Sequence, residues 1–402
     1  MEKGVSVERA VELACNSVMN LKIETVVLSK SYGRTLAESL NSKVDDPRFD
    51  NSAMDGWAVC SSDFLSEITI LKIVGTSKAG KSQPIKIRAG QACQIMTGAP
   101  MPVGADAIVV VENSQVKEDT VTLTGPPNKN YIRKKSENLS LGEEALFAGM
   151  RMTAASISLA ATMGFAEIKV VKKPKIAIIS TGDELVSPGD ELSPGEIYES
   201  NSFGIAALIE KMGGTAIRFN PVTDTIDSLR SALNTAASEC DAILTSGGVS
   251  MGEWDFVRKL MEEEGDMKFW RVQMRPGGPP LFGEWNEVPI FGLPGNPVSS
   301  HVVFLMIVAP WISFNLGSGV QAQALGKYVR VKLQDPIFGA KNKICLRRIN
   351  ITSINNELIA TTHTHQGSGN IHSLVAHNAL SILPPSVDAE AGKNIDAFWW
   401  NE

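Results

Sequence analysis

The chain has 402 residues, with 38 basic and 44 acidic side chains giving a net charge of −6, and it is 43% apolar and 20% charged. At about one to two hundred residues per domain that length makes about two to four domains, and the composition excludes wholesale disorder. The acidic balance excludes the global field of a general nucleic-acid binder, so an anionic ligand has to be held locally, by a few Arg or Lys, by helix N-termini or by a cation.

Residues 6–20 read as a helix, with Ser6 as its cap and Val7, Val11, Ala14 and Val18 on one face. From 45 to 135, Gly and Pro alternate with short β-branched runs at 68–74, 84–87, 107–111 and 120–123, which predicts a small all-β domain. Residues 153–163 read as helix and run into a short strand. The rhythm then changes. Lys175-Ile176-Ala177-Ile178-Ile179-Ser180 is a continuous apolar strand that turns at Thr181-Gly182-Asp183. Asn201 suits the cap of a helix running towards Lys211 and ended by Gly213-Gly214. A second strand at 241–245 leads into Ser246-Gly247-Gly248, and a third at 288–291 into Gly292-Leu293-Pro294-Gly295-Asn296, where Asn296 suits an N-cap and Pro297 the first helical position. Apolar strands alternating with helices predict a doubly wound parallel sheet. After about residue 325 strands return at 328–333, 343–349 and 357–362, as a small barrel or sandwich.

The expected fold class is therefore multidomain α/β, a central doubly wound parallel-sheet domain with β-rich flanks and a C-terminal barrel-like β-domain. The expected domains are a discontinuous helical and mixed linker domain (1–44 and 136–173), a β-rich domain (45–135), the α/β domain (174–324) and a C-terminal β-domain (325–402).

Cys15, Cys60, Cys93, Cys240 and Cys345 are odd in number, far apart and free of any CxxC, which argues against a disulfide framework or Cys-rich zinc site and for a reducing compartment. The start Met1-Glu2-Lys3 shows no signal peptide, and the longest apolar run, 302–309, stops at Pro310, too short for a bilayer span. A cytoplasmic protein is expected, with neither nucleic acid nor membrane among its partners.

The three glycine turns follow three strands of one sheet, so they meet at its carboxyl edge, where ligands bind. Glycine lets backbone N–H groups approach an oxyanion, and a helix N-terminus attracts negative charge, so a phosphate-bearing ligand is expected. Asp183, Glu184, Asp224 and Asp255 stand beside these turns, and hard carboxylate oxygens at a phosphate site suggest Mg²⁺. A second polar loop is Asp50-Asn51-Ser52-Ala53-Met54-Asp55-Gly56-Trp57, which also reads as a turn leading into a strand. A third motif, Arg271-Val272-Gln273-Met274-Arg275-Pro276-Gly277-Gly278, offers Arg275 to an oxyanion.

These motifs, together with Ile95-Met96-Thr97-Gly98-Ala99-Pro100, Thr181-Gly182-Asp183-Glu184-Leu185 and Gly295-Asn296-Pro297-Val298-Ser299, occur in order and resemble the MoeA family, the molybdopterin molybdenumtransferases, over nearly the whole chain. The resemblance implies four domains, the third like molybdopterin adenylyltransferase. It also implies a homodimer whose active site lies between the third domain of one subunit and the second of the other. The implied reaction inserts molybdenum from molybdate into adenylylated molybdopterin and releases AMP, with Mg²⁺ as the cation. By motif, Gly247, Gly248 and Ser250 would cradle phosphate or pterin groups, and Asp183, Glu184, Asp224 and Asp255 would hold Mg²⁺ or orient water. Asp55 and Thr97 would come from the partner subunit. Pro294, Asn296 and Pro297 would shape the pterin pocket, and molybdate would sit near Arg275, Pro276, Arg347 and Ser368. Further implied partners are molybdopterin adenylyltransferase and molybdoenzyme apoproteins. The chain departs from the family pattern at Asn138, where an aspartate is usual, at Arg271 and Arg275, where lysines are common, and at Glu199, which replaces an aspartate. A second reading is a diverged paralogue that binds or stores the cofactor without efficient turnover, or prefers tungstate.

Overall fold

Lys175–Ser180 begins the central sheet, and its residues alternate between two cores. Ile176 and Ile178 join one apolar cluster with the helices Asn201–Met212 and Pro297–Val303, while Ala177 and Ile179 join another with Ile226–Glu239 and Phe256–Glu263. A strand apolar on both faces is buried by helices on both faces, which makes the sheet doubly wound. The computed structural model describes residues 1–80, 83–249, 255–317, 325–362 and 365–400.

The seven-stranded sheet runs Glu2–Val5, Asp266–Val272, Leu281–Trp285, Val288–Leu293, Ala242–Ser246, Lys175–Ser180, Thr215–Arg218. The last four strands are parallel. Leu281–Trp285 is antiparallel to both its neighbours, so the sheet is mixed at one side rather than parallel throughout. The cause is a two-residue turn: Asn286 and Glu287 have φ of 48° and 64°, the pattern of a tight hairpin, and a hairpin can join only antiparallel strands. Glu2–Val5 pairs in parallel with Asp266–Val272, so the first residues belong to the central sheet and not to the linker domain in which they were expected. The segment is pinned further along, where the indole N–H of Trp311 donates to the Ser17 carbonyl (2.9 Å) and Asn315 Oδ1 accepts from Met19 N (2.6 Å).

The first helix is Val7–Cys15, with Ser6 Oγ accepting from Arg9 N at 3.1 Å. It ends before Val18, which lies outside the helix and is exposed. In the helix from Asn201 the N-cap position falls on Ser200, which makes no side-chain capping bond; Asn201 occupies the first turn, and Gly213 ends the helix at φ 94°. The helix that begins at Pro297 runs past Pro310, where the longest apolar run of the sequence ends. A π-turn, Phe304–Val308, carries the helix through to Asn315, since a wider turn accommodates the missing proline N–H. Pro297–Asn315 is long and apolar enough to cross a membrane, yet 83% of it is buried inside the fold, where Trp311 meets Phe291 with ring centroids 5.0 Å apart. It is a core helix.

His301, on this helix, shares an apolar cavity with Leu305 and Trp400. Its Nδ1 lies 2.9 Å from the Pro297 carbonyl, and burial lowers its pKa from the usual 6.5. The unfolded chain therefore takes up this proton at a higher pH than the folded one, and stability is lost as pH falls below about 6.5. Replacing His301 by Gln is expected to flatten the fall in Tm between about pH 6.5 and 5; parallel curves for the two proteins would contradict it.

Ahead of the central sheet lies a six-stranded sheet ordered Ala107–Val110, Gly56–Val59, Gln91–Ile95, Thr69–Ser77, Thr120–Leu123, Ser114–Lys117. The expected strand at 84–87 is reduced to an isolated bridge between Lys86 and Val103. Gly56 is forced by packing, since a Cβ there would lie 2.1 Å from the Val109 carbonyl oxygen. Residues 26–40 and 139–170 share one apolar cluster, which brings together two stretches far apart in the chain. At the C-terminus Gly326–Leu333, Glu357–Thr362, Arg348–Ile354, Ala379–Ile382 and Asn394–Trp400 close a barrel, one of the two expected outcomes.

Candidate active site

The three glycine turns converge on a cavity of about 660 Å³ at the carboxyl edge of the parallel strands. The turns are laced to one another: Thr181 N donates to Ser246 O and Gly247 N to Leu293 O, both at 3.0 Å. Gly247 sits at φ 103°, and a Cβ there would lie 2.7 Å from the Thr181 carbonyl oxygen, so close approach of the two turns requires glycine. Asn201 Nδ2 donates to Ser246 Oγ (2.8 Å) and to the Gly295 carbonyl (2.7 Å), tying the second turn to the third. Glu199 is buried below; its carboxylate accepts from Ser180 Oγ (3.0 Å) and from Ser202 N (2.7 Å) and Oγ (2.6 Å).

Glu184, Asp224, Asp255, Gly247, Gly248, Pro294, Asn296 and Pro297 all line this cavity. Asn296 is the N-cap of the helix at Pro297, but its side chain makes no capping bond. Asp183 does not line the cavity; its Oδ1 accepts from Asp224 N at 3.0 Å and so holds the neighbouring loop. Ser250 lies outside the described residues. The Asp224 carboxyl is raised above its ordinary value, first by burial and then by the like charges of Asp183, Glu184 and Asp255. Even so, among the described residues no group of three or more Asp, Glu, His or Cys is gathered to hold a metal unaided. The four carboxylates expected from the motifs are therefore not gathered as a closed chelate among the described residues, and Asp183 has one oxygen engaged by the Asp224 backbone.

A second cavity, of about 370 Å³, opens between the central domain and the barrel. It is lined by Arg275, Pro276, Arg347 and Ser368, together with Arg348. The barrel is docked here by Leu346 N donating to the Arg275 carbonyl (2.8 Å) and Val298 N to the Ser368 carbonyl (3.0 Å). Gly369 lines the first cavity and Gly367 and Ser368 the second, so one loop borders both. Arg271 lines neither; its guanidinium lies over the Trp270 ring at 5.4 Å.

Asp55 and Thr97 are brought together but not to either cavity. Asp55 Oδ1 accepts from Thr97 N (2.6 Å) and Thr97 Oγ1 (2.9 Å), bonds that hold the carboxyl below its ordinary range. Both residues are exposed on the β-rich domain. Asn138 donates through Nδ2 to Asp46 Oδ2 at 3.0 Å. Sequence reasoning missed Asn201 as a brace between turns, having placed it only as a helix cap, and Arg348 as a cavity wall.

Three family models match the chain: the MoeA N-terminal region (domain I and II) at residues 5–164, the "Probable molybdopterin binding domain" at 177–313, and the MoeA C-terminal region (domain IV) at 330–399. A molybdopterin molybdenumtransferase of Haemophilus influenzae is 38% identical over 292 residues, 72% of each chain. One of Nostoc is 34% identical over 372 residues, 90% of this chain and 85% of that one. The crystal structure of the molybdopterin biosynthesis moeA protein from Pyrococcus horikoshii OT3 superposes with a TM-score of 0.83 at 27% identity, covering 98% of this chain and 100% of that one.

Proposed function

Because the chain belongs to the MoeA family and is a transferase of molybdenum cofactor biosynthesis, we propose a division of labour between its two cavities. Adenylylated molybdopterin occupies the larger one, with Gly247 and Gly248 against its phosphates and Pro294, Asn296 and Pro297 against the pterin. Molybdate occupies the smaller one, beside Arg275, Pro276, Arg347 and Ser368. The observation that carries this reading is the shared loop 367–369, which sets an arginine-lined cavity next to an acid-rimmed one. Such neighbours suit an oxyanion and a phosphate-bearing ligand that must react together.

A water or a molybdate oxygen attacks the adenylate phosphorus, the bond to the molybdopterin phosphate breaks, and AMP leaves. Molybdenum passes to the two dithiolene sulfurs as Mo–O bonds break, the displaced oxygen leaving with the thiol protons as water or, where a molybdate oxygen made the attack, as part of the AMP. Glu184, Asp224 and Asp255 fit Mg²⁺ in chemistry: their oxygens are hard, and the raised Asp224 carboxyl marks negative charge without a balancing cation. With no closed chelate among the described residues, Glu184, Asp224 and Asp255 would hold the cation only in part. Bound there, Mg²⁺ neutralises charge on the phosphates. Asp224 orients the attacking oxygen, and Asp183 holds Asp224's backbone in place.

Asp55 and Thr97 act from a second copy of the chain, a homodimer in which the β-rich domain of one subunit closes the cavity of the other; their exposure, and their absence from the lining of both cavities in one chain, support this. The protein works in the cytoplasm, next to molybdopterin adenylyltransferase and the apoproteins that receive the cofactor. A storage role without turnover is not favoured, since the relatives above are named transferases.

The test is turnover of adenylylated molybdopterin with molybdate, before and after chelation. EDTA is expected to lower AMP release at least about tenfold and added Mg²⁺ to restore it. Undiminished release in EDTA would remove the cation from the account.

A further inference from the structure

Arg348 begins a barrel strand and is 1% exposed, yet it lines the arginine cavity. Its Nε donates to Ser373 Oγ and its Nη2 to the Gly367 carbonyl, both at 3.0 Å. Its backbone closes a two-way bond with one side chain: Arg348 N donates to Gln366 Oε1 (3.0 Å), and Gln366 Nε2 donates back to Arg348 O (2.9 Å). Ser373 Oγ in turn donates to the Asn370 carbonyl at 2.6 Å. All these partners belong to the segment 366–373, whose loop borders both cavities. The guanidinium therefore fastens that segment to the barrel.

Every one of these partners is neutral. Among the described residues no carboxylate stands within 4.0 Å of the Arg348 guanidinium, and the cavity lining contains three arginines and no Asp or Glu. Burial first, and then the neighbouring Arg347, lower its pKa to about 10, so it stays charged at neutral pH. A buried charge is costly unless an opposite charge meets it. Elsewhere, arginines such as Arg9 and Arg230 have carboxylates to meet them. Here the chain leaves the balancing to whatever enters the cavity.

We infer that Arg348 is a positioning residue of the oxyanion cavity: it holds the loop 366–368 in place and leaves its charge for the bound anion to balance, so the cavity favours a doubly charged tetrahedral oxyanion over a singly charged one. The inference rests on reading this cavity as the molybdate site. It adds a residue that the motifs do not mark and a reason for the charge class of the ligand.

The test uses the full chain and simple anions. At constant ionic strength, millimolar molybdate, tungstate or sulfate raises the Tm of the wild-type protein, and perchlorate does not. In Arg348→Gln the molybdate response falls and the preference over perchlorate narrows. The KM for molybdate rises about tenfold, with kcat and the KM for adenylylated molybdopterin within about twofold of wild type. Arg348→Lys keeps the charge but not the fork; it recovers the dianion preference with part of the affinity. A merely structural role would move Tm and leave the anion preference alone. Should the Gln variant fail to fold, the Lys variant carries the test, and wild-type affinity for molybdate there overturns the inference. If Arg275→Ala and Arg347→Ala lose the molybdate response and folded Arg348→Gln keeps it, the inference fails while the cavity's reading stands. If the wild-type protein responds to no oxyanion, both fail.

Discussion

Replacing Asp224 by Ala is expected to leave adenylylated molybdopterin bound within a few-fold of its normal affinity and to slow AMP release by about two to four orders of magnitude. The side chain lies on the cavity wall among three other carboxylates, and its own carboxyl is raised by burial and by their charges. In the folded protein its ionised form is therefore disfavoured. A raised acid pKa subtracts stability as pH rises through it, so at neutral pH the charge is a cost to the fold. Removing it should hold Tm level or raise it, because the bond from Asp224 N to Asp183 uses the backbone and survives the substitution. Activity down with stability level or up separates a chemical role from a structural one. Kinetics and a melting curve on the same preparation check it; unchanged turnover would take Asp224 out of the mechanism.

Mixing two inactive variants is expected to restore activity. Asp55→Ala and Asp224→Ala homodimers each lack one half of every active site in the dimeric reading. A subunit mixture at equal ratio makes about half of the dimers mixed, each with one intact site, so about a quarter of wild-type activity returns. The geometry behind this is specific. Asp55 is held rigidly by the backbone and hydroxyl of Thr97 on an exposed loop, yet it touches neither cavity of its own chain. Activity of the mixture is measured after co-refolding or co-expression, against the separate variants. A mixture no more active than its parts would contradict a site shared between subunits.

Much of the fold was legible because local signals agreed with long-range packing. Lys175–Ser180, Thr120–Leu123 and Glu357–Thr362 match the predicted strands residue for residue, since each is an apolar or β-branched run bounded by turns. The failures have physical causes. Glu2–Val5 is too short to show a period, and only its pairing with Asp266–Val272 makes it a strand. The hairpin at Asn286-Glu287 lacks the glycine that usually marks such a turn, so the reversal was invisible. Pro310 ends the longest apolar run of the sequence, but the helix continues past it through the π-turn Phe304–Val308, whose wider hydrogen-bond register no residue pattern announces.

The site divides in the same way. Glycine turns announce themselves because close backbone approach needs glycine, as Gly247 against Thr181 demonstrates. Asn201 did not, because its role as a brace depends on two turns 45 and 94 residues away along the chain. Arg348 did not, because what singles it out is burial among neutral partners, a property of the folded molecule alone.

The central claim is that oxyanion and adenylylated ligand react across the shared loop. The most direct measurement follows AMP release from adenylylated molybdopterin with Mg²⁺ present, with and without molybdate. Release that depends on molybdate is the predicted result. Tight binding of the ligand with no release, under molybdate and tungstate alike, would contradict it.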